Sequence, residues 1–171
     1  MPALALSLGL PFRSTVGGGA AGPPATPSYA NPGGTGDRSA LITILQASGN
    51  VFGSPSILID GSTSGAGSYL NSTPDGDWIR FDFATSKVIN EAKFYQSSSV
   101  THGTWKWQGS ADASSWSDVS TSFTLGGSTT QTITELSGNT TGYRYYRMIK
   151  ESGSTNSGPW TYEFEFQIDD A

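Results

Sequence analysis

The chain of 171 residues has no cysteine and one histidine, and these two shortages remove several kinds of chemistry at once. Without thiols there is no disulfide framework, thiolate metal site or cysteine nucleophile, and a lone His102 excludes a histidine-cluster zinc centre. Charge is scarce too: 13% of residues are charged, the formal net charge is -5, and the 9 basic residues are scattered. Nucleic acid is excluded as a partner, because phosphate neutralisation needs clustered Lys and Arg. No apolar run approaches the length that crosses a bilayer, which excludes insertion by a helix. No repeat recurs at a solenoid or propeller period. The signatures of catalysis are also missing, with no GxSxG elbow, phosphate loop or HExxH and no clear Ser-His-Asp arrangement. Glu163 and Glu165 stand two apart on one strand, which suits a polar strand edge better than the facing carboxylates of a glycosidase cleft. The chain reads as non-enzymatic.

What is present is apolar and aromatic residue in short runs, 35% and 12% of the chain, separated by Gly, Ser, Thr and Asn. That composition suits an all-β domain with many polar loops, and the length suits one core. Residues 1–40 form a Gly/Pro-rich arm that cannot bury enough apolar area to fold alone, so a neighbouring subunit in an assembly is its expected holder. Its start, MPALALSLGLPF, has no basic residue before a short, broken apolar run and reads as mature sequence rather than a signal peptide. From Leu41 to Ala171 the turn signals become regular and the spacing predicts a β-sandwich. Strands are expected at 41–46, 57–59, 78–84, 88–96, 104–109, 122–125, 130–136, 143–150 and 160–168. Trp105 and Trp107 alternate with Lys106 and Gln108 and are expected in the core, with Trp116 as a core plug beside them. Asp82 and Arg147 are expected to pair across the sheet.

The order of these pieces resembles the discoidin domains, also called factor V/VIII type C domains, and the related galactose-binding-like carbohydrate-binding modules. ILIDG at 57–61, DWIRFDF at 77–83, KVINEAKFY at 87–95, WKWQGSADASSW at 105–116, YRYYRMIK at 143–150 and YEFEFQI at 162–168 carry the resemblance. It covers roughly residues 41–168 and implies a jelly-roll sandwich with ligand held by loops at one end. The family's terminal disulfide is absent, and Ala113 replaces the glycine of its Ser-x-Asp-Gly turn. In many members the family carries one structural calcium near the Asp-Gly turn, and the matching carboxylates here are Asp60 and Glu163. Their alternative readings are an ordinary turn residue and a solvent-facing strand position.

A sugar site needs an apolar platform for the ring's C-H face and a few polar groups aimed at its hydroxyls. The loops expected at the binding end are 47–54, 61–77, 97–103 and 151–159, and they supply Phe52, Tyr69, Asn71, His102, Asn156 and Trp160 as candidate ligand contacts. Phe52 and Tyr69 serve either as platforms or as lids over the sandwich end, and His102 either as a sugar contact or as an exposed loop residue without a role. The resulting expectation is a carbohydrate- or cell-surface-binding module in a phage-type virion, where a tail, fibre or decoration protein adheres to a host glycan. In it, residues 1–40 contact other virion subunits of an oligomeric assembly, and the arm's start weakly resembles small phage tail or fibre proteins. The rival expectation is a structural virion protein whose sandwich contacts its neighbours and binds no glycan.

Overall fold

The computed structural model describes residues 26–46, 54–64, 73–155 and 161–169. Its strands are β1 (Thr43–Gln46), β2 (Trp78–Gln96), β3 (Thr101–Ser110), β4 (Ser117–Asp118), β5 (Phe123–Gly126), β6 (Thr130–Ile133), β7 (Tyr143–Ser152) and β8 (Thr161–Asp169). Where a strand is expected at 57–59, Pro55–Ile59 is instead a 3₁₀ turn. Ser54 accepts the Ser56 N–H, Pro55 presets the helical φ, and the turn points Leu58 and Ile59 into the core.

The organising element is β2. Two strands are expected between residues 78 and 96, but the chain forms one of 19 residues that belongs to both sheets. Trp78–Asp82 pairs with β1 and β7, and Val88–Gln96 pairs with β8, with β6 beside its second part. Between them a register shift and a positive φ of 61° at Ala84 turn the strand from one sheet into the other. β3 extends the first sheet beyond β7 and carries β4 and β5 on its far edge. All these ladders are antiparallel, as period-two alternation predicts.

The core lies between the sheets and is aromatic. The Phe81 ring sits 5.1 Å from Phe166, 5.6 Å from Phe164 and 5.8 Å from Trp107, so residues from β2, β3 and β8 meet at one point. Each such ring is worth about 1.5–3 kcal/mol over an exposed one, and edge-to-face geometry adds to that. Trp105 and Trp107 are buried as expected. Trp116 is not: it lies partly exposed on the outer face of the first sheet, beneath the Arg147 guanidinium at 4.1 Å.

The described part of the arm, residues 26–40, is seated on this chain's own sandwich. Ser28 and Ile168 exchange backbone hydrogen bonds of 3.0 and 3.1 Å, and Phe166 N–H donates to Gly34 O at 3.0 Å, which covers the free edge of β8. Gly34 permits that approach, since a Cβ there would stand 2.2 Å from Tyr29 O. Tyr29 donates to Glu91 at 2.9 Å and lies under the Lys93 ammonium at 4.2 Å.

Candidate functional site

β1 and β7 end, and β2, β3 and β8 begin, at one end of the sandwich, where the second half of β2 also finishes. The described ends of the loops expected at the binding end meet there. Gly76 N–H donates to Lys150 O at 2.8 Å, and Lys150 N–H donates to Asp77 O at 2.9 Å, which extends the ladder past Trp78. Thr73 N–H donates to Thr155 Oγ1 at 2.7 Å, fastening the loop before β2 to the loop after β7. Gly103 lies against them with φ of 81°, and a Cβ there would come within 2.4 Å of Ser152 O.

Between these loops is an open polar cleft of about 380 Å³ lined by Thr73, Pro74, Asp75, Lys150, Gly153, Ser154 and Thr155. Lys150 is its charged centre. Although a lysine, it is 2% exposed, and its ammonium pairs with the carboxylate of Asp75, which stands largely in solvent. The hydroxyl of Thr73 is buried without a hydrogen-bond partner among the described residues. The cleft thus combines an ammonium, a carboxylate and hydroxyls within reach of one small polar ligand, the donor and acceptor mixture that recognises sugar hydroxyls. A cleft of about 390 Å³ at the opposite end is a weaker candidate: its one buried polar side chain, Asn139, spends its amide on Ile89 O at 2.9 Å and Tyr146 Oη at 3.1 Å.

Of the expected ligand contacts, Phe52, Tyr69, Asn71, Asn156 and Trp160 lie outside the described residues. His102 is described, and it is not an exposed loop residue. It is 0% exposed near the start of β3, with Nε2 2.5 Å from Gln96 Oε1, and its carbonyl accepts the Trp105 indole N–H at 2.8 Å. Gln96 in turn donates to Val100 O and Ser128 O at 3.0 and 2.7 Å, so this group shapes the 97–100 turn from below. Burial pulls the His102 pKa down to about 4, leaving the ring neutral at pH 7. Lys150 and Thr73 went unnoticed in the sequence. The lysine reads there as the last residue of a strand.

The carboxylates matched to a structural calcium are in unlike settings. Asp60 is exposed and accepts the Ser62 N–H at 2.8 Å, an ordinary Asx turn. Glu163 is 0% exposed rather than solvent-facing, pairs with the Arg38 guanidinium and accepts the Gly61 N–H at 3.3 Å. Arg38, 1% exposed, also donates to Gly34 O at 2.8 Å and Gly36 O at 2.9 Å. Burial lowers its pKa to about 10, which still keeps it charged at neutral pH. Of the two carboxylates matched to the ion, the one on the last strand is already engaged by a guanidinium. The residues present do not fit a calcium ion at Glu163, and the described residues contain no group of three or more His, Cys, Asp and Glu able to hold one.

No sequence-family profile matches this chain, and no curated protein does. Solved structures do. The CBM32 of AlyQ, in complex with 4,5-unsaturated mannuronic acid, is similar over 72% of this chain and 92% of its own, with a TM-score of 0.56 and 20% identity. Chitosan-binding module 1 from a chitosanase/glucanase of Paenibacillus sp. IK-5 is similar over 74% and 94%, with a TM-score of 0.56 and 22% identity. CpGH89CBM32-5 of Clostridium perfringens, in complex with GalNAc-β-1,3-galactose, is similar over 74% and 95%, with a TM-score of 0.56 and 14% identity. The fold is that of the CBM32 modules. It is the discoidin-type, galactose-binding-like sandwich that the order of motifs implies.

Two further details of the sandwich concern a turn and the last strand. The Ser110–Trp116 turn keeps its left-handed residue although Ala113 replaces glycine, with φ of 60°. Asp112 holds it by accepting from Ser114 N–H and Ser115 N–H, both at 2.8 Å. The two glutamates of the last strand are also committed, Glu163 to Arg38 and Glu165 to the Tyr95 hydroxyl at 2.7 Å, so they form no free acid-base pair.

Proposed function

We propose that the chain is a non-catalytic carbohydrate-binding module and that its loop-end cleft around Lys150 takes the sugar. The observation that carries the reading is the buried lysine itself. An ammonium removed from water and paired, among the described residues, with one exposed carboxylate retains donor capacity in a cleft that hydroxyls share. The similar structures support the class of ligand, since their partners are a mannuronic acid, a GalNAc-galactose disaccharide and chitosan. The proposal concerns the sandwich alone. A virion setting rests on the arm of residues 1–40, of which 1–25 lie outside the described residues and 26–40 are occupied with the chain's own β8.

In this reading Arg38 takes the part of the family's cation, and the sandwich holds its shape without one. The test of function is calorimetric titration of the whole chain with GalNAc-β-1,3-galactose, chitosan oligosaccharides and mannuronate oligosaccharides. At least one is expected to bind, and Lys150→Met is expected to weaken it at least tenfold while circular dichroism stays unchanged. Binding of none of the three, or binding indifferent to Lys150→Met, contradicts the assignment.

A further inference from the structure

The outer face of the first sheet carries an arrangement that folding alone does not account for. Arg80 on β2 and Arg147 on β7 are direct cross-strand partners. Their strand neighbours Ile79, Phe81, Tyr146 and Met148 are all buried, so both arginines project outward. Like charges placed opposite each other destabilise a sheet. The chain is acidic overall, yet among the described residues no carboxylate forms an ion pair with either guanidinium, although Asp118 attracts Arg147 and Asp82 attracts Arg80 at longer range. Asp82 receives Arg144 Nε and Nη2, both at 2.8 Å, which corrects the expected pairing of Asp82 with Arg147. Asp118 accepts from Lys106 at 3.0 Å and from Gln108 at 2.6 Å. Arg147 donates only to the neutral Gln108, at 2.7 Å, and Arg80 Nε is buried with no partner among the described residues.

Both guanidiniums are nonetheless held in place. Arg80 lies 5.5 Å from the Trp78 ring and 5.6 Å from Tyr145, and Arg147 lies 4.1 Å from Trp116. Stacking on a ring fixes the plane of a guanidinium and leaves its edge free to donate a bidentate pair to a carboxylate. Across the strands the residues run Leu45, Arg80, Arg147, Gln108 in register, an open row rather than a pocket. A row of this kind fits an extended ligand.

We propose that this face is a second glycan site, in which Arg80 and Arg147 take the carboxylates of an acidic polysaccharide lying across the strands. The proposal rests on the carbohydrate-binding reading for the class of its partner, and on charge complementarity and the aromatic rings for its place. A polyuronate is favoured over an acidic peptide because sugar rings pack their C-H faces against aromatic edges, which a carboxylate side chain on a flexible peptide does not exploit.

The experiment uses the whole chain and three probes: polygalacturonate, polyglutamate and GalNAc-β-1,3-galactose. Wild type is expected to retain polygalacturonate in affinity electrophoresis, more weakly as salt rises. Arg80→Gln/Arg147→Gln is expected to weaken that retention at least tenfold with an unchanged or higher Tm, and to leave disaccharide binding as it is. The unchanged Tm separates loss of a site from loss of the fold. Absence of polygalacturonate binding by the wild type, or equal binding by the double variant, overturns the proposal while leaving the cleft's assignment to its own titration. Polyglutamate bound as tightly as polygalacturonate overturns the choice of a sugar. A wild-type dimer in sedimentation that the double variant disperses overturns it in favour of self-association.

Discussion

Arg38 and the pair Arg80/Arg147 are the same residue type in opposite conditions. Arg38 is sealed beneath the arm, with Glu163, Gly34 O and Gly36 O taking its donors. Arg80 and Arg147 stand on a sheet face opposite each other, and among the described residues no carboxylate pairs with either. A satisfied, buried charge answers to the fold, and its removal leaves its partner stranded. An unsatisfied charge held in a fixed orientation at the surface is left for something outside the chain. The contrast separates an arginine enclosed by the fold from two whose edges face outward.

The largest effect expected is at the buried member. Arg38→Met leaves the buried carboxyl of Glu163 without its cation, and urea unfolding should show a loss of about 3–5 kcal/mol. Arg38→Met/Glu163→Leu should recover most of it. A loss below about 1 kcal/mol in the single variant would place Arg38 among the surface arginines and break the comparison.

A second effect on the buried side depends on pH. His102 has its folded pKa lowered to about 4 from an ordinary 6.5 because burial disfavours the charged ring. Above about pH 6.5 the ring is neutral in both states and contributes no pH dependence. Below it the unfolded chain takes up a proton that the folded chain refuses, so stability falls from about pH 6.5 down to about pH 4. Thermal melts across that window should show the decline, and His102→Gln should flatten it.

Chelation sharpens the same contrast. With a guanidinium already at Glu163, excess EDTA should leave the Tm within about 1 °C, a shift well under 1 kcal/mol for a domain of this size. A fall of several degrees would show that an ion, and not Arg38, holds the turn. The smallest effect is at the surface: Arg147→Gln should change stability by no more than about 0.5 kcal/mol, with gain more expected than loss, because it removes one of two opposed charges.

The fold was largely legible because it is written in period two. Phe81, Trp105, Trp107, Phe164 and Phe166 alternate with polar residues and are all buried. Local pattern cannot show partners far apart in the chain. Arg38 sits in a Gly/Asp loop and its partner is 125 residues away, so neither its burial nor that of Glu163 is visible from neighbours. The 3₁₀ turn at Pro55–Ile59 was obscured because a short apolar run fits a strand as well as a turn. Trp116 has the hydrophobicity of a core residue, and only the position of Arg147 shows that it serves the surface. The cleft was half legible. The strand ends that meet there follow from the order of strands, but Lys150 occupies the last inward position of β7, where an aliphatic residue would ordinarily stand.

The most direct test of the account is therefore at Lys150. The whole chain and its Lys150→Met variant are titrated with GalNAc-β-1,3-galactose, chitosan oligosaccharides and mannuronate oligosaccharides at constant salt and pH. The account predicts that the wild type binds at least one of them and that the variant, equally folded, binds it at least tenfold more weakly. Equal binding by both proteins, or binding by neither, would contradict it.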